Sequence, residues 1–318
     1  VKQGGNDVII TITLNPAIDR TLVLNHDIVI GKKNRGVQVT VEPGGSGIHA
    51  SRAIKALGGS SLALGFVAGS NGRQLKDALT SIDILHDFSD LPGQTRVNLH
   101  VFDKDGNRTD FHEPGYNISD GDFLRFLDRV KLYIDKGNIF VIGGNTPRGL
   151  SKNNVKTLFR TITKAGCPLV FEAEGEPLLD SLAFEPDCIV CDGAGLADAV
   201  DMAADTPEEA LAAAQKAMEM GAKSVCVSLG HKGILLASQS VKPVFATIPD
   251  AKPFQHTIAL LDAMNGALAH AMHQGYTTDD TARFVYAMGD KSSHIEGTGI
   301  ATLRSVFNRS QDVKLYEF

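Results

Sequence analysis

Tryptophan is absent from the 318 residues of this chain, and cysteine is scarce, with four residues. So few cysteines exclude a disulfide framework at this length and agree with a reducing compartment, so we expect a cytoplasmic protein. No apolar run reaches the ~18 residues that a membrane-spanning helix needs, and no segment has the layout of a signal peptide. We therefore expect no membrane partner.

An excess of positive charge is also missing, since the formal net charge is -6 at pH 7. A surface whose main function is to bind nucleic acid carries a basic excess, so we expect no nucleic-acid partner. Hydrophobic residues are plentiful, at 43%, which is enough to bury one large α/β core or two small ones. Residues 1–6, with their Gly-Gly pair, are typical of an added leader and are left outside the predicted domain.

Two of the four cysteines, Cys188 and Cys191, stand at C-x-x-C spacing. The run that contains them, residues 187–191, is mostly apolar, and no second pair of ligands stands at zinc spacing. Buried strand residues are therefore favoured over a metal ligand pair, and we assign no residue as a metal ligand.

Strand-like and helix-like segments alternate along most of the chain. The predicted strands cover residues 8–14, 61–67, 139–142, 168–172, 188–191 and 224–229. The predicted helices cover residues 48–57, 71–79, 207–220, 262–270 and 278–292. This alternation predicts an α/β fold in which helices cover both faces of a mainly parallel central sheet.

Two regions, about residues 21–42 and 95–111, depart from this pattern. Apolar residues alternate with period two in residues 37–41 and again in 97–101, which is typical of half-exposed strands. We expect these regions to form a small β lid over a crevice, and irregular edge strands of the main sheet are the alternative. The lid and the main sheet together are predicted to form one domain over residues 7–318.

A glycine-rich turn, Gly44-Gly45-Ser46-Gly47, precedes the first predicted helix. Closely spaced glycines let backbone N–H groups approach a ligand, and the N-terminus of a helix favours an anion. The turn matches neither G-x-G-x-x-G nor a Walker A loop, so by itself it is equally compatible with a simple tight turn.

Two further features admit both a structural and a chemical interpretation. An acid in the first turn of a helix, here Asp262, usually stabilises only the helix dipole. It also suits a general base that takes a proton from a hydroxyl while the helix N-terminus holds a transferred phosphoryl group. The glycine-containing turn at residues 228–233 suits a platform for a nucleotide or a plain hairpin.

Taken in order, these motifs resemble those of the ribokinase-like (phosphofructokinase B) carbohydrate kinase family, and most closely its 1-phosphofructokinase and tagatose-6-phosphate kinase branch. The resemblance covers about residues 8–308. Its motifs are N-P-A-I-D at 15–19, G-G-x-G-I-x-x-S-R at 44–52, T-R-V-N at 95–98, E-P-G at 113–115, P-R-G at 147–149, the turn at 228–233, Asp262, and E-G-T-G at 296–299. It implies a three-layer α/β/α fold with a mainly parallel central sheet and a small β lid.

The resemblance also implies site roles, with Asp262 as the catalytic base. It implies a substrate-binding set of Asp19, Gly44, Gly45, Gly47, His49, Arg96 and Arg148. It implies a nucleotide-binding set of Ser228, Gly230 and Gly233. ATP and Mg²⁺ would be the cofactors, a small-molecule sugar phosphate would be the partner, and the β lid would suit a homodimer interface.

Several positions depart from the family pattern inside the predicted site. Ser46 replaces a lysine, and a serine offers a sugar phosphate only a neutral hydrogen bond, about half as strong as a charge-assisted one. The family's G-A-G-D is Ala-Leu-Leu-Asp at 259–262, where leucines would resist a positive-φ backbone. Loss of one anion-hole donor typically costs ~10²–10³ in rate. The remaining replacements are His49 for asparagine, Val190 for lysine, Asp192 for asparagine, Gly195 for glutamate, and E-A-E-G at 172–175 for D-T-S-G.

Three functions stay open on these grounds. The first is an ATP-dependent kinase that transfers the γ-phosphoryl group to a hydroxyl of a ketohexose phosphate, with Asp262 as base. The second is a catalytically impaired relative that binds a ligand for regulation, because the departures concentrate in the anion hole and the metal site. The third is a kinase for a non-phosphorylated acceptor such as a nucleoside, which Ser46 and His49 suggest.

Overall fold

The computed structural model describes residues 8–318, so the expectations for residues 1–7 lie outside the described part. Within it the first half contains β1 (Ile9–Thr13), β2 (Ala17–Val23), β3 (Gln38–Gly44), α1 (Ser46–Ala56), β4 (Ser61–Ala68), α2 (Gly69–Ser81), β5 (Leu85–Leu91), β6 (Arg96–Phe102), β7 (Arg108–His112), α3 (Asp120–Lys131), β8 (Ile139–Gly143) and α4 (Lys152–Lys164).

The second half of the chain continues the same alternation and ends on an edge strand. It contains β9 (Leu169–Glu172), α5 (Gly175–Leu182), β10 (Cys188–Asp192), α6 (Gly193–Val200), α7 (Pro207–Glu219), β11 (Ser224–Ser228), a 3-10 turn (Gly230–Lys232), β12 (Ile234–Ser238), β13 (Val244–Thr247), α8 (Leu260–Gln274), α9 (Thr278–Ser292), α10 (Leu303–Ser310) and β14 (Lys314–Glu317).

Ten strands form the central sheet, in the order β14-β13-β12-β11-β10-β9-β8-β1-β4-β5. Neighbours from β5 to β11 run parallel, and β12, β13 and β14 extend the sheet with antiparallel pairs. The predicted α/β fold with a mainly parallel sheet is confirmed. Its central strands are buried on both faces, which explains their nearly continuous apolar runs.

Two large apolar clusters cover the two faces of this sheet. Ile10 and Ile12 of β1 point into one cluster with the helices α3 to α7, whereas Ile9 points into the other with α1, α8, α9 and α10. Because side chains alternate along a strand, β1 contributes side chains to both clusters. Gly266 brings α8 against α1, since a side chain there would meet the Ala50 carbonyl oxygen at 2.5 Å.

The two regions with period-two alternation form a second, four-stranded sheet in the order β3-β2-β6-β7. The pairs β2–β3 and β6–β7 are antiparallel, but β2 and β6 run parallel. This second sheet, which we call the lid, begins at residue 17, earlier than the apolar pattern indicates. Residues 24–37 connect β2 to β3 without a strand, although they contain the apolar run 28–30.

The four cysteines are free and buried. Cys188 and Cys191 lie in β10, which agrees with the interpretation of the C-x-x-C spacing as strand residues. Burial raises the pKa of Cys188 to about 11, so this thiol is a poor metal ligand and a poor nucleophile. Among the helices of residues 8–318, none combines the length and the apolar character that a bilayer span requires.

The contact between β1 and β4 gives a stability prediction. Gly65 pairs with Thr13, has a φ of +148°, and leaves no room for a Cβ atom beside the Thr13 carbonyl oxygen. We expect Gly65→Ala to destabilise the protein by about 3 kcal/mol, because backbone cannot move aside as a side chain does. The free energy of unfolding in urea measures the effect.

The matched control is Gly121→Ala in the first turn of α3, where the added methyl group meets only ordinary contacts. This change is expected to be neutral or to stabilise by up to about 1 kcal/mol through helix propensity. Equal unfolding midpoints for the two variants would contradict the packing described for β1 and β4.

Candidate active site

A small cavity of about 170 Å³ lies between the lid and the ends of the central strands. Ligands of open α/β sheets bind outside the carboxyl ends of the parallel strands, and this cavity has that position. Its polar lining comes from the end of β1 and the residues just after it, from the lid, from α1 and from the start of α8, and includes Thr13, Asn15, Asp19, Ser46, His49, Arg96, Asn98, His100, His112 and Asp262.

Asp19 is the acid that the lid contributes, and only 2% of its surface is exposed. Asn98, directly opposite on β6, donates from Nδ2 to Asp19 Oδ1 at 2.8 Å. Burial alone raises the pKa of Asp19, but the neighbouring His100 and the hydrogen bond from His49 outweigh burial and hold the pKa well below the usual range. Gly44 closes over this carboxylate, because any Cβ there would overlap it.

His49 joins two acids that belong to different parts of the fold. Its Nε2 lies 3.0 Å from Asp19 Oδ2, and its Nδ1 lies 2.8 Å from Asp262 Oδ2. An imidazole donates from both nitrogens only when it is protonated. Burial alone lowers the pKa of His49, but the hydrogen bonds to Asp19 and Asp262 outweigh burial and raise the pKa to about 9. The structure therefore holds a buried imidazolium between two carboxylates.

Asp262 lies in the first turn of α8, whose N-terminus has no side-chain cap. Leu260 N donates to the Thr257 carbonyl oxygen at 3.3 Å, and no side chain caps the N–H groups that follow it, so these suit an anion. The residue with left-handed backbone is Ala259, at φ 57°, and not either of the two leucines that were expected to resist such a backbone. Leu260 is buried in the core beneath α8, and Leu261 packs against the same core. The leucines thus anchor the helix start, and the strain falls on Ala259.

Acidic residues surround the other side of Asp262. Glu172 ends β9 and is buried, with no hydrogen-bond partner for Oε2. Burial, and then the charge of Asp262, raise the pKa of Glu172 well above its ordinary value. Burial and the charges of Asp192 and Asp262 likewise raise the pKa of Glu174. The side chains described on this side of Asp262 are acidic, and Ser46 and Val190 carry no charge.

The acids on this side fit a Mg²⁺ ion. Asp192 caps α6 through Oδ1, which accepts from Gly195 N at 2.7 Å, and its other carboxylate oxygen takes no part in that cap. Mg²⁺ usually takes one or two carboxylates and completes its shell with water and phosphate oxygens. Glu174 and Asp192 supply such donors.

A larger cavity of about 750 Å³ adjoins the first and shares Ser46, Gly144 and Asn145 with it. Three phenylalanines form its apolar part, and lysines and acids stand at its rim: Phe159, Phe171, Phe184, Lys152, Lys156, Glu176 and Asp180. A ligand in the small cavity thus has room to extend toward α4 and α5.

The lid is fixed to the rest of the fold through three side chains. Arg52 of α1 donates to Glu42 Oε1 at 2.5 Å and to Thr298 Oγ1 at 2.9 Å. Thr298 in turn donates to Glu42 Oε2 at 2.6 Å. This triad connects β3 of the lid to the S-R and E-G-T-G motifs, so these motifs hold the lid over the cavity.

The structure brings most of the expected substrate residues together. Asp19, Gly45, His49, Arg96 and Asp262 line the small cavity, Gly44 abuts Asp19, and Gly47 packs against the end of β1. Arg148 is exposed and lines neither cavity described above. Ser228, Gly230 and Gly233 form the turn between β11 and β12, where Gly230 N donates to Ser228 Oγ at 3.3 Å.

The site roles assigned from the sequence omitted several polar residues that line the cavities. Asn98, His100 and His112 line the small cavity from the lid, and Glu172 lines the larger one from β9. A signal for the lid residues was present, because residues 98 and 100 occupy the polar positions between the apolar ones of β6.

Comparison with known proteins gives a consistent result. Residues 12–302 match the profile of the pfkB family carbohydrate kinases. The 1-phosphofructokinase of Bacillus subtilis (strain 168) is 32% identical over 245 residues, which are 77% of this chain and 79% of that protein. The ATP-dependent 6-phosphofructokinase isozyme 2 of Escherichia coli (strain K12) is 29% identical over 297 residues, 92% of this chain and 95% of that protein.

Solved structures agree with the sequence comparison. The crystal structure of phosphofructokinase-2 from Escherichia coli in complex with substrates and products superposes with a TM-score of 0.89 at 28% identity, covering 96% of this chain and 98% of that one. The ribokinase-like fold implied by the motifs is thereby confirmed.

The buried imidazolium predicts a pH-dependent stability. Because the pKa of His49 is raised from 6.5 to about 9 in the folded protein, its stabilisation is complete below pH 6.5 and is lost as the pH rises through about 9. A shift of this size corresponds to roughly 3 kcal/mol. Urea unfolding of the wild type and His49→Asn between about pH 6 and about pH 10, which bracket the transition, measures it.

We expect the difference in unfolding free energy between the two proteins to change in favour of the variant across that interval. His86→Asn is the control, since His86 lies on β5 and does not line the site. A difference that stays constant with pH would show that His49 is neutral in the folded protein.

Proposed function

This chain belongs to the pfkB family of carbohydrate kinases, and from that premise we propose that it transfers the γ-phosphoryl group of ATP to a hydroxyl of a ketohexose phosphate. The observation that carries the proposal is the meeting of Asp19 and Asp262 in one cavity at an uncapped helix N-terminus. One acid suits the binding of sugar hydroxyls, and the other suits the removal of a proton during phosphoryl transfer.

The acceptor half of the cavity favours a hydroxylated, anionic ligand. Asp19 accepts hydrogen bonds, and Asn98 is held beside it, so sugar hydroxyls find an acceptor at a fixed position. Arg96 adds a permanent positive charge and is positioned by its Nε, which donates to the Asn15 carbonyl oxygen at 3.2 Å. A guanidinium suits a phosphate group, because it offers several donors in one plane.

The donor half depends on Asp262 and on the start of α8. His49 occupies Asp262 Oδ2, so Oδ1 is the oxygen that takes the proton of the acceptor hydroxyl. The N–H groups of the first turn of α8 face the transferred group and stabilise its charge. Mg²⁺ bound with ATP supplies positive charge to the phosphates, and Glu174 and Asp192 would hold it.

A second function is favoured by a specific observation, the concentration of acids beside Asp262. Glu172 and Glu174 oppose phosphate groups, and Ser46 supplies no compensating charge. We therefore carry a catalytically impaired, ligand-binding protein as the second candidate. A kinase for a non-phosphorylated acceptor such as a nucleoside is the third candidate, since an acceptor without a phosphate needs less positive charge at Ser46.

We also propose a cytoplasmic location for the protein, because its four cysteines are free, as is usual in a reducing compartment.

Replacement of the proposed base tests the first function. With fructose 1-phosphate, fructose 6-phosphate or tagatose 6-phosphate as acceptor, we expect Mg·ATP turnover by the wild type and a loss of at least about 10² in kcat for Asp262→Ala. Asp279→Ala is the matched control, because Asp279 is an acid in the first turn of α9. Equal rates for Asp262→Ala and the wild type would refute the role of Asp262.

Restoring the family's glycines separates an active from an impaired enzyme. We expect Ala259→Gly with Leu261→Gly to raise kcat by about 10-fold or more, because a glycine at position 259 relieves the left-handed strain and the first-turn N–H groups become less screened. If neither the wild type nor this variant turns over ATP, a melting temperature that rises with one of the ligands supports the binding role. Turnover with unphosphorylated acceptors alone would support the third candidate.

We further propose that the outer face of the lid pairs two copies of the chain. Val39, Val41 and Phe111 are exposed there, on the side of the lid away from Asp19. Exposed apolar residues on a small sheet with open edges favour association with a second copy.

Sedimentation velocity tests this interface. We expect a dimer for the wild type and a monomer for Val39→Lys with Val41→Lys, because two charges on each outer face would be buried without partners. Leu132→Lys is the control, since Leu132 is also exposed but follows α3. A wild type that sediments as a monomer at every concentration would contradict the proposed interface.

A further inference from the structure

Three potential metal ligands meet on the cavity side of the lid. His100, Asp110 and His112 place their ligand atoms within 4.8 Å of one another, the one such group of three among residues 8–318. His100 stands on β6 directly opposite Asp110 of β7, and His112 is one alternate position further along β7, opposite Asn98. Since side chains alternate along a strand, all of these point to the face that carries Asp19.

We propose that His100, Asp110 and His112 bind a transition-metal ion, with Zn²⁺ as the expected metal, and leave a coordination position open toward the cavity. Two imidazoles and one carboxylate form a ligand set that suits Zn²⁺ much better than Mg²⁺ or Ca²⁺. Zinc sites that bind a further molecule have three protein ligands and leave the fourth coordination position open.

The distance between His100 and Asp110 needs only a small change to admit the ion. His100 Nδ1 lies 2.8 Å from Asp110 Oδ1. A tetrahedral Zn²⁺ about 2.0 Å from each atom holds them about 3.3 Å apart, so this pair opens by about 0.5 Å. Arg108 binds the other oxygen of Asp110 at 3.1 Å, which keeps Oδ1 directed at His100.

The second nitrogen of His100 provides an independent indication. His100 Nε2 is buried without a hydrogen-bond partner and lies 3.8 Å from Asp19 Oδ1. A histidine that binds zinc through one nitrogen usually donates from the other to a carboxylate. A metal on Nδ1 would fix the proton on Nε2, directed at Asp19, and would thus supply the partner that this buried nitrogen lacks. The plain alternative is a His100–Asp110 ion pair that binds no metal.

The open position would face the contents of the small cavity, because His100 and His112 both line it. A metal there adds a positive charge on the lid to a cavity in which Ser46 offers only a hydroxyl. We assign to it the binding of an anionic or hydroxyl oxygen of the acceptor. This assignment rests on the proposed function, whereas the binding of the metal itself does not.

Calorimetric titration of the full-length, chelator-treated chain with ZnCl₂ in excess Mg²⁺ tests the site. We expect one Zn²⁺ per chain in the wild type. We expect His112→Gln and Asp110→Asn to bind Zn²⁺ at least about 10-fold more weakly, because the loss of an outer-shell partner alone weakens metal binding by that much. His112 and Asp110 are exposed, so both variants should keep the fold. His86→Gln is the matched control and should bind as the wild type does. Absence of Zn²⁺ binding, or equal binding by His112→Gln and the wild type, would overturn the site.

A second titration tests the open position. Binding free energies of two ligands are coupled reciprocally, so fructose 1-phosphate should tighten Zn²⁺ binding by the wild type if both meet in the cavity. We expect this coupling to disappear in His112→Gln. Unchanged Zn²⁺ affinity in the presence of the sugar phosphate would overturn the assignment of the acceptor oxygen. Because calorimetry reads metal binding without turnover, an inactive enzyme and an absent metal site give different results.

Discussion

The bridge from Asp19 through His49 to Asp262 is the interaction on which the site depends. It connects the lid, α1 and α8, three elements that share no strand pairing, through one buried side chain. A buried charge is tolerated only when it is paired and hydrogen-bonded, so each carboxylate requires the imidazolium and the imidazolium requires both. The geometry of the acceptor pocket and the direction of the proposed base are therefore set by the same pair of hydrogen bonds.

The two halves of the cavity differ in how far they depart from the family pattern. The acceptor half keeps an acid, an amide and an arginine in fixed positions, whereas the donor half is rich in carboxylates and poor in cations. Its helix start remains uncapped, and the backbone keeps the left-handed turn at Ala259 even without a glycine. Packing explains this, because Leu260 lies in the core and holds the start of α8 in place. The fold thus keeps the backbone shape of the proposed anion site, with acidic side chains around it.

Much of the sheet could be predicted from sequence, because buried parallel strands are apolar on both faces and leave an unmistakable run of residues. Helix α3 was missed although its signals are present, because Ser119 and Asp122 form a capping box and the buried residues Phe123, Phe126, Leu127 and Val130 are spaced i, i+3, i+4 and i+7. Asp19 and Asp262 could be named from their motifs, but the bridging role of His49 could not. Its two partners are 30 and 213 residues away along the chain, and only the folded arrangement of α1, α8 and the lid brings them together. The same holds for His112, which acquires significance only through its register against β6.

The triad of Glu42, Arg52 and Thr298 makes the two edges of the lid mechanically unequal. The β3 edge is held to α1 and to the loop after α9, while β7 at the opposite edge pairs only with β6 among the described strands. At the β7 edge, Arg108 donates to Thr257 Oγ1 at 3.2 Å, and this bond is exposed to solvent. The lid is thus restrained more strongly beside α1 than beside the segment that leads into α8.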